Sequence, residues 1–227
     1  MAAWAAANWL IQAFRKPAEV FFPAGGTLIK TPAETWHRYG PLFREHSTGI
    51  IAPQTLAALA QIEGAGNPVA RPRWSWHLSW NPFELYRPSS SAVGMFQITD
   101  AAFRDAKRYC IHHHAVVEDG PWYDPGSCWF NGLYTRVVPS HAIEMTSALL
   151  DRAVASALRR LGKTATFQQK QDLAAVIHLC GPGRGDAYTR RGFRPAAGER
   201  CGAHDLATYL AQVTALKRQF VRLAAAD

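Results

Sequence analysis

The segment from Leu56 to Pro68 restricts the fold of this chain more than any other, because an apolar helix there ends on an acid and runs into a Gly/Asn/Pro loop. Glu63 follows Leu59 by four residues and Leu56 by seven, so on a helix it shares their apolar stripe. Desolvation at such a position raises the pKa of a carboxyl group, which suits a general acid near neutral pH. The alternative is a solvated helix end, because charged side chains are seldom fully buried.

Helix signals elsewhere predict a mainly α chain with little strand. Thr31-Pro32-Ala33-Glu34 combines an N-cap residue, a Pro and an acid in the first turn, so a helix begins there, and Pro41 is expected to interrupt it. Residues 64–98 form a long irregular loop with room for a small hairpin, and residues 110–138 form a loop tied by cysteines. The other predicted helices cover about 3–15, 53–63, 99–109, 139–161, 166–179 and 204–224.

Composition limits the chain to one enzyme-sized domain. It has 227 residues, 48% of them hydrophobic and 19% charged, which is enough to bury one sizeable core and too few for two typical large domains. The net charge of +8 favours anionic partners. The basic residues are scattered, however, and the sequence has neither zinc-finger spacing, a ribonucleoprotein motif nor a basic arm, so we expect no nucleic acid partner.

The four cysteines bear on the compartment in which the chain works. None forms a C-x-x-C pair, which argues against zinc. An even count favours two disulfides in an exported chain, and of the three pairings we expect Cys110 with Cys128 and Cys180 with Cys201, which close short local loops. Buried free thiols are the alternative, because cysteine packs well as a small hydrophobe.

The sequence contains no stretch that approaches the roughly 20 apolar residues needed to cross a bilayer, so we expect no membrane span in this chain. The start, from Met1 to Phe14, lacks the basic leader of a signal peptide. Two interpretations remain: a natural cytosolic start, or a mature exported chain whose signal or anchor has been removed. The cysteines favour the second interpretation.

Two further segments follow the Glu63 segment, namely Gly94-Met95-Phe96-Gln97-Ile98 and Ile177-His178-Leu179-Cys180-Gly181-Pro182-Gly183-Arg184. In order and spacing the three segments resemble the motifs of the soluble lytic transglycosylase (SLT) domain family, a relative of goose-type lysozyme. The family motifs read Glu-Ser-x-x-x-Pro, Gly-Leu-Met-Gln-Ile and Ala-Tyr-Asn-Ala-Gly-Pro-Gly-Arg. The similarity spans roughly residues 45 to 190, which is most of the chain.

The resemblance implies a lysozyme-like, SLT-type helical domain with a long irregular loop or small β-hairpin flanking the cleft and with extra terminal helices. We expect residues 45–227 to form this catalytic domain and residues 1–44 to form an N-terminal helical extension packed on it, within one structural unit. We also expect a monomer in the periplasm or cell envelope that needs no cofactor and no metal.

The resemblance further implies cleavage of the β-1,4 bond between N-acetylmuramic acid (MurNAc) and N-acetylglucosamine (GlcNAc) in peptidoglycan glycan strands. Glu63 first protonates the glycosidic oxygen and then, as a carboxylate, takes the proton of the C6 hydroxyl, which closes on C1 to give 1,6-anhydroMurNAc. One alternative is a muramidase that uses water and a second acid, Glu84, Asp100 or Glu144. The other is a catalytically silent peptidoglycan-binding or secretion-associated protein.

The other site candidates come from the motif positions. Gly94 allows backbone to approach the sugar or the catalytic helix closely, and Gln97 holds an N-acetyl group, orients Glu63 or caps the next helix. His178 stands where the family has tyrosine, so it replaces that donor or is structural, and Tyr188 or another downstream tyrosine is a substitute for the missing hydroxyl. We expect one of the apolar pair in the second motif to face the cleft and the other the core. The predicted substrate-binding residues are Tyr86, Ser90, Ser91, Gly94, Met95, Phe96, Gln97, Glu144 and His178.

The irregular loop is rich in aromatic side chains. Trp74, Trp76 and Trp80 either line a glycan cleft, since large flat rings cover the C–H faces of sugars, or simply cover the core. Arg71 and Arg73 beside them either bind peptide carboxylates or form a solvated basic edge. The adjacent histidines at 112–114 point in different directions, so we expect no metal there.

Overall fold

The computed structural model describes residues 2–16, 19–20 and 25–226. Within these ranges the chain is mainly α, as predicted, with eight α-helices and three small antiparallel hairpins. Short 3-10 turns cover Gly25–Leu28 and Trp129–Leu133. The helices are α1 (Ala2–Arg15), α2 (Pro32–Glu45), α3 (Pro53–Gly64), α4 (Asp100–Ala106), α5 (Pro139–Leu161), α6 (Phe167–Cys180), α7 (Pro182–Arg190) and α8 (Leu206–Ala224).

Helix α3 lies at the centre of the core, packed against α2, α5 and α8. Five consecutive residues, from Leu56 to Ala60, are completely buried, and a helix that is apolar all round must be enclosed in this way. Pro53 occupies the first turn, where its missing N–H costs nothing, and Ala65 ends the helix in the left-handed conformation with φ 48°. The central position of α3 therefore brings its last turn, which carries Glu63, to the edge of the core.

Helix α2 corrects one sequence expectation, because it runs through Pro41 without interruption. Proline cannot bond the carbonyl four residues earlier, which belongs to His37. Both residues are exposed, so that carbonyl faces solvent and the lost bond is not a buried one. Helix α2 also contributes Trp36, Tyr39 and Phe43 to the same core as α3, and the domain boundary at residue 44 stays a prediction.

The first hairpin falls within the segment for which the sequence left open a long irregular loop or a small hairpin. It pairs β1 (Trp74–Trp76) with β2 (Tyr86–Pro88), so that Trp76 lies opposite Tyr86. A third hairpin, β5 (Arg200–Cys201) with β6 (His204–Asp205), leads directly into α8. These strands are short; hydrogen bonds from α1 hold the first hairpin and its loop, and β6 packs against α8.

The second hairpin corrects the expectation of a helix to residue 109 followed by an irregular loop. Helix α4 stops at Ala106, and β3 (Tyr109–His112) pairs with β4 (Ala115–Glu118). His113 and His114, with φ of 49° and 62°, form the two-residue connection that a tight hairpin requires. The β-branched and aromatic residues around them favour strand, which the helical periodicity of the preceding segment concealed.

Both predicted disulfides are present, Cys110 with Cys128 and Cys180 with Cys201. The first ties β3 to the loop after β4, and the second ties the end of α6 to β5. Two disulfides are typical of an exported protein, because reducing compartments keep thiols free. Among the described helices, none has the length and apolar character needed to cross a bilayer.

Candidate active site

Glu63 lies on the last turn of α3 with its side chain 17% exposed. Leu56 and Leu59, which share its stripe, are fully buried, so the stripe predicted from the sequence carries the carboxylate from the core toward the surface. A cavity of about 370 Å³ opens beside the carboxylate and is lined by Ile29, Ile62, Glu63, Gly64, Ala65, Asn67, Val69, Ala70 and Arg71. Glu63 is thus part-buried yet reaches a space that a ligand can enter.

Two side chains from distant helices approach the same oxygen of Glu63. The Tyr209 hydroxyl, on α8, donates a hydrogen bond of 2.7 Å to Oε1. His178 Nε2, on α6, lies 4.0 Å from Oε1, and the ring packs edge-on against Phe96. Within the described residues, Oε2 has no hydrogen bond or ion pair, so one oxygen is anchored and the other is available to a ligand.

The pKa shifts of the two neighbours make them neutral at pH 7. Burial lowers the pKa of His178, and the nearby Glu63 charge and a hydrogen bond with the Phe96 backbone oppose this shift only in part. Burial, together with the Glu63 charge and the hydrogen bond to it, raises the pKa of Tyr209 far above its usual value. Tyr209 therefore keeps its proton and acts as a donor, while His178 adds no positive charge beside the carboxylate.

The second motif packs directly on the end of the helix that carries Glu63. A Cβ on Gly64 would lie 2.8 Å from Met95 Cα and 2.9 Å from Met95 O, so only glycine allows this approach. Gly94, with φ 81°, approaches a different segment, since a Cβ there would collide with the carbonyl oxygen of Arg136. The close approach predicted for Gly94 thus occurs toward the loop before α5, and Gly64 makes the close contact at the helix that carries Glu63.

Gln97 fastens the second motif to the loop that follows Glu63. Its Nε2 donates a hydrogen bond of 2.9 Å to the carbonyl of Gly94 and one of 3.2 Å to the carbonyl of Ala70. The residue adopts a φ of 47°. The backbone N–H of Gly94 donates 2.7 Å to the same Ala70 carbonyl. Because Ala70 lines the cavity of Glu63, Gln97 helps to shape that cavity. Among the described residues its side chain forms no hydrogen bond with Glu63, and the N-cap of α4 is Thr99 instead.

Met95 and Phe96 are both fully buried in the core, so the expectation that one of them faces the cleft is wrong. The tight turn at 94–97 points both side chains inward, because Gly94 and Gln97 at its ends adopt positive φ. The ring of Phe96 instead packs edge-on against the ring of His178, on the side of the core. A substrate contact by either side chain would require the core to open.

The third motif places His178 beside Glu63 and then changes the direction of the chain. Gly181, with φ 80°, ends α6, and Pro182 starts α7, a helix that was not predicted. Cys180, two residues after His178, bonds Cys201 in the hairpin that leads into α8. The disulfide therefore joins the helix that carries His178 to the hairpin that precedes the helix of Tyr209.

The other predicted substrate residues lie in the loop before α4 and in the first hairpin. Ser90 is exposed and its Oγ accepts a hydrogen bond of 3.2 Å from Ala92 N, while Ser91 Oγ accepts one of 3.2 Å from Asp100 N. Tyr86 packs its ring against Trp74 and Trp76. The structure thus gives the serines local roles in the loop and places Tyr86 in an aromatic cluster.

The three acids considered as second carboxylates have partners other than Glu63. Glu84 forms an ion pair with Arg15, and Asp100 forms one with Arg136. Glu144 is buried, accepts hydrogen bonds from Ile111 N at 2.9 Å and Tyr134 Oη at 2.7 Å, and lies 4.0 Å from His46 Nδ1. Each acid is engaged in its own local contact.

A metal site was not expected at the adjacent histidines. In the structure His113 and His114 form the exposed turn of the second hairpin, and His114 Nδ1 lies 2.9 Å from the carbonyl oxygen of Ser47. Within the described ranges, no group of three His, Cys, Asp or Glu side chains converges as metal ligands would.

Tyr209 is the site residue that the sequence did not single out, although a downstream tyrosine was considered. The alternative named first, Tyr188, is buried and packs against Phe193. The signal was present in α8, because Tyr209 shares a helical stripe with Leu206, Val213 and Phe220, all buried. A polar residue on a buried stripe must find a partner, and the partner is Glu63.

No family model, no curated protein and no solved structure matches this chain.

Proposed function

We propose that this protein is a peptidoglycan lytic transglycosylase that cleaves the β-1,4 bond between MurNAc and GlcNAc and leaves a 1,6-anhydroMurNAc end. One observation carries the proposal: the three segments that resemble SLT motifs, far apart in sequence, converge on one carboxylate. Gly64 contacts the Met95 backbone, and His178 lies 4.0 Å from Glu63. The proposal includes an SLT-type, lysozyme-like architecture around the central helix α3.

In the first step Glu63 acts as the acid. Its proton passes to the glycosidic oxygen as the bond from that oxygen to C1 of MurNAc breaks, so GlcNAc leaves with a hydroxyl group and Glu63 becomes a carboxylate. The side chain of Glu63 is part-buried, and no lysine or arginine forms an ion pair with it in the described part of the chain. The N-acetyl group of the substrate stabilises the positive charge at C1, as in substrate-assisted enzymes.

In the second step Glu63 acts as the base. The carboxylate takes the proton from the C6 hydroxyl of MurNAc, and the C6 oxygen forms a bond to C1, so no water is consumed. Tyr209 holds Oε1 in one position throughout, since its raised pKa keeps it a donor. The free Oε2 is then the oxygen that exchanges the proton with the substrate.

The surroundings of Glu63 favour the lyase over a hydrolytic muramidase. A hydrolase that pairs two carboxylates holds the two carboxyl groups roughly 5 to 9.5 Å apart, one on each side of the bond. Glu84, Asp100 and Glu144, the acids considered for this role, each bind a different partner. We further propose that the protein acts as a monomer on glycan strands in the periplasm or cell envelope, which agrees with its two disulfides.

Mass spectrometry of the soluble products from purified peptidoglycan tests the proposal. The lyase releases muropeptides lighter by one water than hydrolytic products, because their MurNAc ends carry the internal 1,6 bond. Glu63→Gln should abolish the release, and Glu118→Gln, which alters an exposed ion pair with Arg108, should leave it unchanged. Reducing ends would instead indicate a muramidase, and an absence of cleavage would indicate a binding protein.

A further inference from the structure

A second and larger groove lies between helix α1 and the first hairpin. Asn8 Nδ2 donates a hydrogen bond of 2.7 Å to the carbonyl of Tyr86, and Gln12 Nε2 donates one of 2.7 Å to the carbonyl of Phe83. The rings of Trp4 and Trp76 stack with centroids 6.3 Å apart and planes 4° apart. These contacts hold α1 on the hairpin, and between them remains a space of about 790 Å³.

Aromatic side chains form the walls of this groove, and small alanine side chains line part of its helical side. Trp4 and Trp9 reach it from α1, and Trp74 and Tyr86 from the hairpin. Ala5 and Ala6, which also line it, leave the space open because their side chains are small. Flat rings around an open slot suit the apolar C–H faces of sugar rings.

A buried acceptor in the groove lacks a partner. Asn8 is 1% exposed, and while its Nδ2 donates to the carbonyl of Tyr86, its Oδ1 has no hydrogen bond among the residues that the structure describes. Buried polar atoms in folded proteins are almost always paired, so this oxygen calls for a donor beyond the described residues. An amide N–H or a hydroxyl group of a ligand in the groove is such a donor.

The groove also has a cation on its rim. Arg71 binds Glu19, which is fully buried and also accepts a hydrogen bond of 3.0 Å from Trp74 Nε1. Arg73, by contrast, is exposed, lines the groove and has no ion pair within the residues that the structure describes. Its guanidinium is therefore placed to bind a carboxylate of the ligand.

This groove and the cavity of Glu63 share a lining residue. Arg71 lines both spaces, and the segment 70–74 runs from one to the other. Four residue steps of extended chain reach at most about 14 Å, so a ligand along this segment needs only a few linked sugar rings to occupy both.

We propose that the groove between α1 and the first hairpin binds the part of a glycan strand that lies beyond the bond cleaved at Glu63. The ligand class is an N-acylated amino sugar polymer that carries carboxylates. The rings of Trp4 and Trp9 bind sugar faces, Asn8 Oδ1 accepts from an amide or hydroxyl group, and Arg73 binds a carboxylate. The link to cleavage rests on the proposed function, whereas the binding itself can be measured without it.

Isothermal titration of the full chain carrying Glu63→Gln, which prevents cleavage, tests the proposal. The probes are a soluble GlcNAc-MurNAc tetrasaccharide with peptide stems and, as an uncharged analogue, chitotetraose. Ala6→Trp, which fills the groove from an exposed position, should weaken the binding of both probes at least tenfold. Ala3→Trp, on the same helix outside the groove, is its matched control and should change the Kd less than twofold.

A second pair of variants tests the charge. Arg73→Gln should weaken the binding of the peptide-bearing probe about fivefold and leave chitotetraose unaffected, while Arg87→Gln, an exposed change on β2, should affect neither. Unchanged binding in Ala6→Trp and Arg73→Gln, or no binding of either probe by the parent, overturns the proposal. Binding without cleavage by the native chain would overturn the proposed function alone, and normal cleavage kinetics in Ala6→Trp on long strands would overturn this inference alone.

Discussion

Two glutamates in this molecule have nearly the same neighbours. Tyr209 donates 2.7 Å to Glu63, with His178 at 4.0 Å. Tyr134 likewise donates 2.7 Å to Glu144, with His46 at 4.0 Å. Each glutamate sits on a helix that packs into the core, so neither the chemical groups nor their distances distinguish the two clusters.

The two glutamates differ in the number of carboxylate oxygens that lack a hydrogen bond within the described residues. Both oxygens of Glu144 accept hydrogen bonds, because Ile111 N occupies the second, and the side chain is 8% exposed. Glu63 has one anchored oxygen, a side chain that is 17% exposed, and a cavity beside it. A satisfied carboxylate stabilises a fold, while one with an unused oxygen at a cavity is able to exchange a proton with a ligand. The proposed function therefore places catalysis at the cluster of Glu63, and we expect the cluster of Glu144 to stabilise the fold.

The sharpest test of this contrast exchanges each acid for its amide. Glu63→Gln should reduce the release of anhydro muropeptides at least about a thousandfold, since it removes both the acid and the base of the reaction. Glu144→Gln should retain nearly full activity per folded molecule, because the side chain does not reach the cavity. Initial rates at equal concentrations of folded protein check both values, and a severe loss in Glu144→Gln would break the contrast.

The free energy of unfolding should fall more when Glu144 is replaced than when Glu63 is replaced. Glu144→Ala leaves Ile111 N and the Tyr134 hydroxyl without their acceptor inside the protein, at a cost of about 3 kcal/mol in unfolding free energy. Glu63→Ala affects one buried donor, Tyr209, and should cost about half as much. Urea titrations of the two variants give both values. Equal losses would mean that Glu63 contributes as much to the fold as Glu144.

Replacing Tyr209 should lower kcat, whereas replacing Tyr134 should not. Tyr209→Phe leaves Glu63 without its fixed orientation, so kcat should fall about tenfold, equivalent to about 1.4 kcal/mol, with KM unchanged. Tyr134→Phe should change kcat less than twofold while lowering stability by about 1 kcal/mol. Steady-state rates on soluble glycan strands, together with thermal unfolding, distinguish these results. A rise in KM alone for Tyr209→Phe would assign that hydroxyl to substrate binding.

The smallest effect concerns the two histidines and pH. Burial lowers the pKa of both His178 and His46, against the opposing charges of Glu63 and Glu144. In the unfolded chain these histidines bind protons below about pH 6.5, whereas in the folded chain they bind them only at lower pH. The free energy of unfolding therefore falls as the pH drops. Each histidine should contribute at most about 0.7 kcal/mol of this loss between pH 7 and pH 6.

Urea titrations at the two pH values test this dependence in His178→Asn and His46→Asn. Each variant should lose part of the pH dependence, and the double variant should lose more than either. A parent whose stability does not change over this interval would contradict the lowered pKa values.

Much of the helical framework could be predicted from the sequence, because its signals are local. The periodicity of α3, α5, α6 and α8 and the loop lengths between paired cysteines depend on nearby residues, and the structure agrees with them. Pro41 and the strands at Tyr109–Glu118 were misjudged because solvent exposure and cross-strand pairing decide them, and neither is visible in a local pattern.

The candidate site was harder to predict for the same physical reason. An apolar stripe indicated that Glu63 is part-buried, but which of the seven tyrosines reaches it depends on how α8 docks. Similarly, the tight turn at Gly94 decides that Met95 and Phe96 both point inward, which the motif alone does not specify. Contacts between distant segments thus complete a site that local signals only locate.

The hydrogen bond from Tyr209 to Glu63 joins residues 146 positions apart. A ribosome that adds roughly 5 to 20 residues per second needs roughly 7 to 30 s to pass from one to the other. During that interval the acid has been made but its orienting hydroxyl has not, and contacts so distant in sequence are also among the slowest to form. A chain that is still being synthesised therefore carries the Glu63 carboxylate before the hydroxyl that orients it, and the proposed activity would need the C-terminal helix to be in place.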